Sequence, residues 1–208
     1  MNVKANVLKR FIIYMAILTF VMFTVWALVR SFMNRPPGDY ETEVCDIRLK
    51  DKKYDQAIKA ANKALQRTPN HRGAIMCKAL VYISEKKYKK ATEQLDYLIV
   101  FLEGNLEDDD TTGIGTLAAA YANRGIIKDR SEDYEGALKD YVRALGIDRE
   151  AVAGPGLGTI ILNYKFKSSS VKERALYLNE QLQLPESERI LKIDKLDEGQ
   201  VMHKPGKL

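Results

Sequence analysis

The chain has 208 residues, of which 46% are hydrophobic and 29% charged, a composition that excludes wholesale disorder and suffices for one folded domain with appendages. Its formal net charge of +5 is uneven, because no acidic residue precedes Asp39 while five basic residues do: Lys4, Lys9, Arg10, Arg30 and Arg35. The rest of the chain has 28 basic and 28 acidic residues, which argues against nucleic-acid binding, since such a domain normally carries its own basic excess.

The first predicted element is a transmembrane helix over residues 11–29, which contain no charged residue, proline or glycine. These nineteen residues give a helix of about 28 Å, close to the roughly 30 Å of a bilayer's hydrocarbon core. A cleaved signal peptide is the alternative, but its apolar run is usually shorter and ends at small residues, which are missing here. A core helix that is apolar on every face would need a larger protein around it. We predict a retained signal anchor, with residues 1–10 as its flank and 30–37 as a linker.

The basic residues on either side of this helix bear on its orientation. Three of them precede the apolar run and two follow it, which favours an N-terminus in the cytoplasm. In a bacterium the rest of the chain would then lie in the periplasm, so we predict a single-pass protein of the bacterial inner membrane.

A repeated motif follows the anchor, with three copies of Tyr-x-x-Ala that begin at Tyr54, Tyr88 and Tyr134. The first two copies are 34 residues apart, and the third follows after 46, which is the same period with an insertion of 12. Each copy opens a segment with helical spacing of apolar residues. A second helical segment precedes each copy and carries a small residue nine positions before the tyrosine, at Cys45, Ala79 and Gly125. Small residues there allow two antiparallel helices to pack closely.

This pattern resembles the tetratricopeptide repeat (TPR) family, whose 34-residue unit is a pair of helices. The third copy is the best match, with Tyr121, Gly125, Tyr134, Ala137, Tyr141 and Ala144. The resemblance implies an all-α fold, in which the transmembrane helix is followed by a short α-solenoid of about three helix pairs. The pairs are expected at residues 38–71, 72–105 and 118–151, with an acidic insertion at 106–117. A generic helical bundle is the alternative, but it has no reason to repeat at this period.

Beyond residue 151 the repeat decays. Residues 152–191 are expected to form degenerate capping helices, at 159–166 and 171–182, because the end of a repeat stack needs a polar outer face. Residues 192–208 are polar and are expected to form a tail.

We expect no catalytic site, metal site or cofactor. The two histidines, His71 and His203, are too far apart in sequence to form a metal cluster by spacing, and no nucleophile or dinucleotide motif is present. The run from Asp108 to Gly113 resembles the first half of a calcium loop, but Ala119 stands where the loop needs a glutamate. An acidic, solvated insertion is the favoured interpretation.

The two cysteines, Cys45 and Cys77, lie at or near the small packing positions of the first two repeats. We predict that they are buried free thiols. A periplasmic location would favour a bridge between them, although their side chains need not face each other.

Charge is segregated along the repeats. Residues 48–90 hold thirteen basic and three acidic residues, whereas residues 91–110 hold seven acidic and no basic ones. A basic edge is predicted where the helices of the first two repeats turn, formed by Lys52, Lys53, Lys86, Lys87, Lys89 and Lys90. It is either a solvated edge or a contact surface for anionic lipids or an acidic partner.

The resemblance also implies a concave groove lined by one face of each first helix. The corresponding positions include an apolar set, which we predict to be a partner-binding groove: Met76, Leu80, Ile83, Ala122 and Ile126. The alternative is that the capping helices or the insertion bury these residues within the domain.

TPR domains as a family are protein-binding scaffolds, so the resemblance implies a non-enzymatic adaptor with protein partners. Membrane-anchored members look like bacterial envelope assembly factors or accessory subunits of membrane complexes. The alternative is a receptor or co-chaperone that faces the cytosol and captures carboxylates with Lys, Arg and Asn in its first helices. Residues at those positions depart from this pattern at all but the last: Thr42, Asp46, Cys77, Ala119 and Asn123.

Overall fold

Helices make up the regular structure of the described residues. The computed structural model describes residues 5–33, 35–149, 152 and 171–193, and these contain no strand. The chain divides into two units, Met1–Pro37 and Gly38–Leu208. The described α-helices are α1 (Ala5–Met33), α2 (Asp39–Lys50), α3 (Tyr54–Arg67), α4 (Arg72–Ser84), α5 (Tyr88–Asn105), α6 (Thr111–Arg130), α7 (Tyr134–Ile147) and α8 (Val171–Leu182).

The first unit contains helix α1, which is longer than the predicted span. Its 29 residues reach about 43 Å at 1.5 Å per residue. The segment Asn6–Arg30 contains an 18-residue stretch with a mean hydropathy of 2.4 and no buried residue, so it is long and apolar enough to cross a membrane. Its two threonine hydroxyls donate to backbone carbonyls one turn earlier, Thr19 to Met15 and Thr24 to Val21, and thus need no water.

The second unit is built from three helix pairs, α2–α3, α4–α5 and α6–α7, whose helices pack against one another in chain order. Each pair is closed by a three-residue turn: 51–53, 85–87 and 131–133. The middle residue of each turn has a positive φ, 58° at Lys52, 58° at Lys86 and 66° at Glu132. The amide after it donates to the carbonyl five residues earlier in all three turns, as in a Schellman motif. The backbone therefore repeats with the period seen in the sequence.

Small residues allow the helices of a pair to approach each other. Cys45 and Ala79 are fully buried, as are the alanines of the three Tyr-x-x-Ala motifs. At Gly125 a Cβ atom would lie 2.7 Å from the ring of Tyr141 on the paired helix, so no larger residue fits without a shift.

The twelve-residue insertion lengthens helices rather than forming a separate acidic loop. Helix α5 has 18 residues and α6 has 20, whereas α3 and α7 have 14 each. Only residues 106–110 connect α5 to α6. The backbone amide of Gly113 donates to the Asp110 carboxylate at 2.8 Å, so Asp110 caps the start of α6.

Helix α8 packs against α7 and agrees with the second predicted capping helix. The first, 159–166, lies outside the described residues, as does the tail from residue 194. Arg174 of α8 forms an ion pair with Asp129 of α6, and each side chain is only 1% exposed. Arg174 also donates to the Leu191 carbonyl, and the Tyr141 hydroxyl donates to Asp129 at 3.1 Å. The segment after α7 is therefore tied to the third helix pair through a buried charge.

Candidate interaction surface

The five residues predicted to line a partner groove lie in the hydrophobic core. Met76, Leu80 and Ile83 are at most 3% exposed, and Ala122 and Ile126 at most 1%. They belong to one apolar cluster that also contains Val171, Ala175 and Leu178 of α8. The structure thus corrects the expectation of an open apolar groove at these positions.

Packing between successive first helices explains this burial. Helix α4 contacts α2, α3, α5 and α6, and eight of its thirteen residues are buried. The amide of Asn123 on α6 points at the Met76 sulfur at 3.6 Å. Helix α4, the first helix of the middle pair, is therefore covered on every side. Helix α2, the first helix of the first pair, carries polar residues instead.

The six lysines of the predicted basic edge are all exposed and lie at or beside the turns that close the first two helix pairs. Lys87 donates to Glu85 at 2.7 Å, and this bond raises the pKa of Lys87. Lys53 contacts Asp51 at 3.4 Å, and the Lys90 ammonium lies 5.8 Å from the ring centre of Tyr82. Within the described part of the chain, the other three members of the edge, Lys52, Lys86 and Lys89, have no carboxylate partner.

Two of these unpaired lysines occupy costly backbone positions. Lys52 and Lys86 have left-handed φ values of 58°, a conformation that costs an L-residue about 1–2 kcal/mol and that glycine adopts freely. Local structure alone would favour glycine at the end of these helices. Glu132 has the same conformation in the third turn, so the backbone position belongs to the repeat, and the first two turns differ from the third in placing an unpaired cation there.

A hollow of about 360 Å³ lies beside these turns, between α3 and the α4–α5 turn. Lys59, Lys87 and Lys90 contribute cations to it, Asp55 and Glu85 contribute carboxylates, and Tyr82 contributes an aromatic wall. The basic edge therefore borders a hollow that has an aromatic wall.

The connection between α5 and α6, at the opposite end of these helices, is acidic. Glu107, Asp108 and Asp109 are exposed in the α5–α6 connection. Asp110 forms an ion pair with Arg72, and the Arg72 guanidinium together with the Gly113 amide lowers the pKa of the Asp110 carboxyl. Among the described residues, no group of three acidic, histidine or cysteine side chains is placed to hold a metal ion.

Cys45 and Cys77 form a disulfide, with their Cα atoms 6.5 Å apart. The prediction of two free thiols is therefore wrong. The bridge joins α2 to α4, the first helices of neighbouring pairs, and both residues are fully buried in a small cluster with Ala57, Ala61 and Val81. Spacing from the turn could not reveal this pairing, because the two cysteines occupy different positions in their repeats.

Comparison with family models and with curated protein sequences gives no match. Among solved structures, the chain is similar to the first TPR of Spaghetti (RPAP3) bound to the HSP90 peptide SRMEEVD. The TM-score is 0.50 and the sequence identity 18%, and the match covers 71% of this chain and 94% of that chain. A second similar structure is the Arabidopsis OM64 TPR domain, at a TM-score of 0.45 and 15% identity, which covers 55% of this chain and 84% of that chain.

The chain has the tetratricopeptide repeat fold. At these identities the likeness concerns the fold alone, so the surface of this TPR domain has to be interpreted from its own residues.

Three features of the TPR domain were missed at the sequence level. Lys52 and Lys86 were considered only for their charge, although the repeat period places both at the same position of their turns. The ion pair between Asp129 and Arg174 was not predicted. Cys45 and Cys77 were predicted to be free thiols, whereas they form a disulfide.

Proposed function

We propose that this protein is a membrane-anchored scaffold that binds other proteins through its TPR domain and acts by binding, not by catalysis. Helix α1 anchors it in the bacterial inner membrane, and the domain lies in the periplasm as an assembly factor or accessory subunit of a membrane complex. The basic edge is the surface that docks an acidic segment of the partner. The observation that carries this proposal is the pair of unpaired lysines, Lys52 and Lys86, held in left-handed turns.

The disulfide supports the proposed side of the membrane. Disulfides persist in oxidising compartments such as the periplasm and are rare in the cytosol, where thiols are kept reduced. The excess of basic residues before the apolar run at 11–29 favours the same orientation. These two signals are independent, since one comes from the anchor flanks and the other from the domain.

The basic edge supports an acidic partner over a solvated surface. Unpaired lysines at a turn gain nothing from the fold, and their backbone conformation costs stability. A partner with carboxylates at matching spacing would neutralise them and would gain association rate and specificity from the charge.

The alternative function is a cytosol-facing receptor or co-chaperone. The TPR domain of Spaghetti is bound to a peptide from HSP90. In this chain Cys77 forms the disulfide, and Ala119 and Asn123 are fully buried. Three of the five positions implied for carboxylate capture therefore offer no accessible cation. These features favour the envelope scaffold.

The proposed location predicts the state of the cysteines in cells. After acid quenching of a bacterial host and unfolding of the protein in SDS, neither Cys45 nor Cys77 should react with a maleimide of high mass unless a reductant is added first. The protein should also stay in the membrane fraction after an alkaline wash, because an apolar helix of this length inserts through the hydrophobic effect. Thiols that react without reductant would place the domain in the cytosol, and release by the wash would refute the anchor.

The proposed surface predicts opposite effects on binding and on stability. Replacing both Lys52 and Lys86 by glycine should relieve the turns and raise the free energy of unfolding by about 1 kcal/mol. The same change should weaken binding of the partner that co-purifies in mild detergent by about tenfold, because two contacts of a charged rim are lost. Stability is measured by chemical denaturation and binding by titration of the purified pair.

Further variants at Lys52 and Lys86 separate the effect of the charge from the effect of the backbone conformation. Replacing both lysines by arginine should retain binding. Replacing both by glutamine should weaken binding without raising the free energy of unfolding. Lys139→Gln, an exposed change on α7, is the control and should leave binding unchanged. Binding that survives both glutamine and glycine would overturn the basic edge as the docking surface. If these variants still bind the protein partner but no longer bind anionic vesicles, the basic edge is a lipid-binding surface.

A further inference from the structure

A second, chemically different site lies at the other end of the domain. Helices α7 and α8 enclose a pocket of about 260 Å³ that lies outside the basic edge. Val142 and Leu145 of α7 and Ala175 and Leu176 of α8 form its walls. This volume is slightly smaller than that of a drug-sized ligand site and suits one or two aliphatic side chains.

The apolar walls are open to solvent. Val142 is 58% exposed and Leu176 is 54% exposed, although both lie on helices whose opposite faces are in the core. Large aliphatic side chains that face each other across an open pocket are expected where a partner supplies the missing apolar group.

Two cations border the same pocket. Arg149 follows α7 and Lys172 lies in the first turn of α8, and both side chains are exposed. In the described part of the chain neither has an ion pair or a hydrogen-bonded partner. An apolar pocket with unpaired cations at its mouth is complementary to an aliphatic side chain flanked by carboxylates.

We infer that this pocket binds a protein segment in which an aliphatic residue stands next to acidic residues. The aliphatic side chain enters between Val142 and Leu176, and the acidic side chains pair with Arg149 and Lys172. The site is separate from the basic edge, so it gives the scaffold a second point of attachment, for another segment of the same partner or for another protein.

The test uses the full chain in nanodiscs of zwitterionic lipid and the peptide acetyl-Gly-Ser-Asp-Leu-Asp-Ser-Gly-amide. Methyl resonances of Val142 and Leu176 should shift on titration, with a dissociation constant of about 1 mM or lower. Replacing the leucine of the peptide by serine, or both of its aspartates by asparagine, should weaken binding at least about fivefold.

Matched variants locate the site. Val142→Ser and Lys172→Glu should each weaken binding at least about fivefold. Their controls, Val100→Ser at a 72% exposed position of α5 and Lys139→Glu on the exposed face of α7, should leave it within about twofold. The glutamine variant of Lys52 and Lys86 should also bind normally, so failure of the basic-edge proposal and failure of this one are distinguishable.

Equal binding of the aspartate and asparagine peptides would overturn the role of the cations. Unchanged binding to Val142→Ser, or the absence of any shift at about 10 mM peptide, would overturn the site. Tighter binding of acetyl-Gly-Ser-Asn-Leu with a free carboxyl end would replace the acidic segment with a chain terminus as the occupant.

Discussion

Loss of the Cys45–Cys77 disulfide is expected to lower the free energy of unfolding of the TPR domain by about 4 kcal/mol. The two cysteines are 32 residues apart, and opening a loop of that length restores conformational entropy to the unfolded chain. The native contacts change little, because both residues stay fully buried between α2 and α4. A loss of this size corresponds to a fall in melting temperature of about 10 °C.

Chemical denaturation of the full chain in detergent, followed by circular dichroism, measures this effect with and without reductant. The double variant Cys45→Ala with Cys77→Ala is the control, since its stability should not respond to reductant. A difference of less than about 1 kcal/mol between the oxidised and reduced wild type would contradict the expectation. It would also weaken the argument that the bridge reflects an oxidising compartment.

The fold could be predicted because its determinants are local and periodic. Tyr-x-x-Ala marks the start of each second helix, and the alanines are fully buried at the helix contacts. Even the irregular spacing before Tyr134 was interpretable, since extra residues can extend two helices without disturbing the turns that repeat. The αL turns themselves were not predicted, because lysine and glutamate carry no signal for positive φ.

The candidate groove could not be predicted in the same way, because burial depends on which surfaces meet. Leu80 has helical spacing that is consistent with either a groove or a core. The packing of α4 between α2 and α6, with α8 in the same apolar cluster, shows that these residues belong to the core.

The disulfide and the buried ion pair share a different difficulty. Cys45 and Cys77 lie in different repeats, and Asp129 and Arg174 are 45 residues apart. A charged residue in an amphipathic pattern is assigned to solvent by default, because Asp and Arg are almost never fully buried unless paired. Pairing of this kind is invisible without the fold, since it depends on where α8 returns to the stack.

Removing one partner of the Asp129–Arg174 pair is expected to cost about 4 kcal/mol, because the other charge then remains buried and uncompensated. Arg174 donates to both carboxylate oxygens of Asp129, at 2.8 and 2.7 Å, so Asp129→Ala deletes two charge-assisted hydrogen bonds at once. Denaturation of the full chain measures the loss. Asp140→Ala is a matched control, because Arg124 and Lys128, which pair with Asp140, are 18% and 30% exposed and regain water more easily. A smaller loss at Asp129 than at Asp140 would contradict the prediction.

The double variant Asp129→Leu with Arg174→Met separates the charge from the packing. Apolar residues of similar size avoid the unpaired charge, so the double variant should be at least about 2 kcal/mol more stable than Asp129→Ala. In Asp129→Ala alone, α8 should detach before the rest of the domain unfolds, since the pair ties α8 to α6 through a buried charge. Val171, Ala175 and Leu178 of α8 are at most 5% exposed, so detachment should expose them and increase binding of a hydrophobic dye below the main transition. If the single variant unfolds in one step without dye binding, then α8 is an integral part of the cooperative unit, and the buried pair contributes to its stability without acting as a latch.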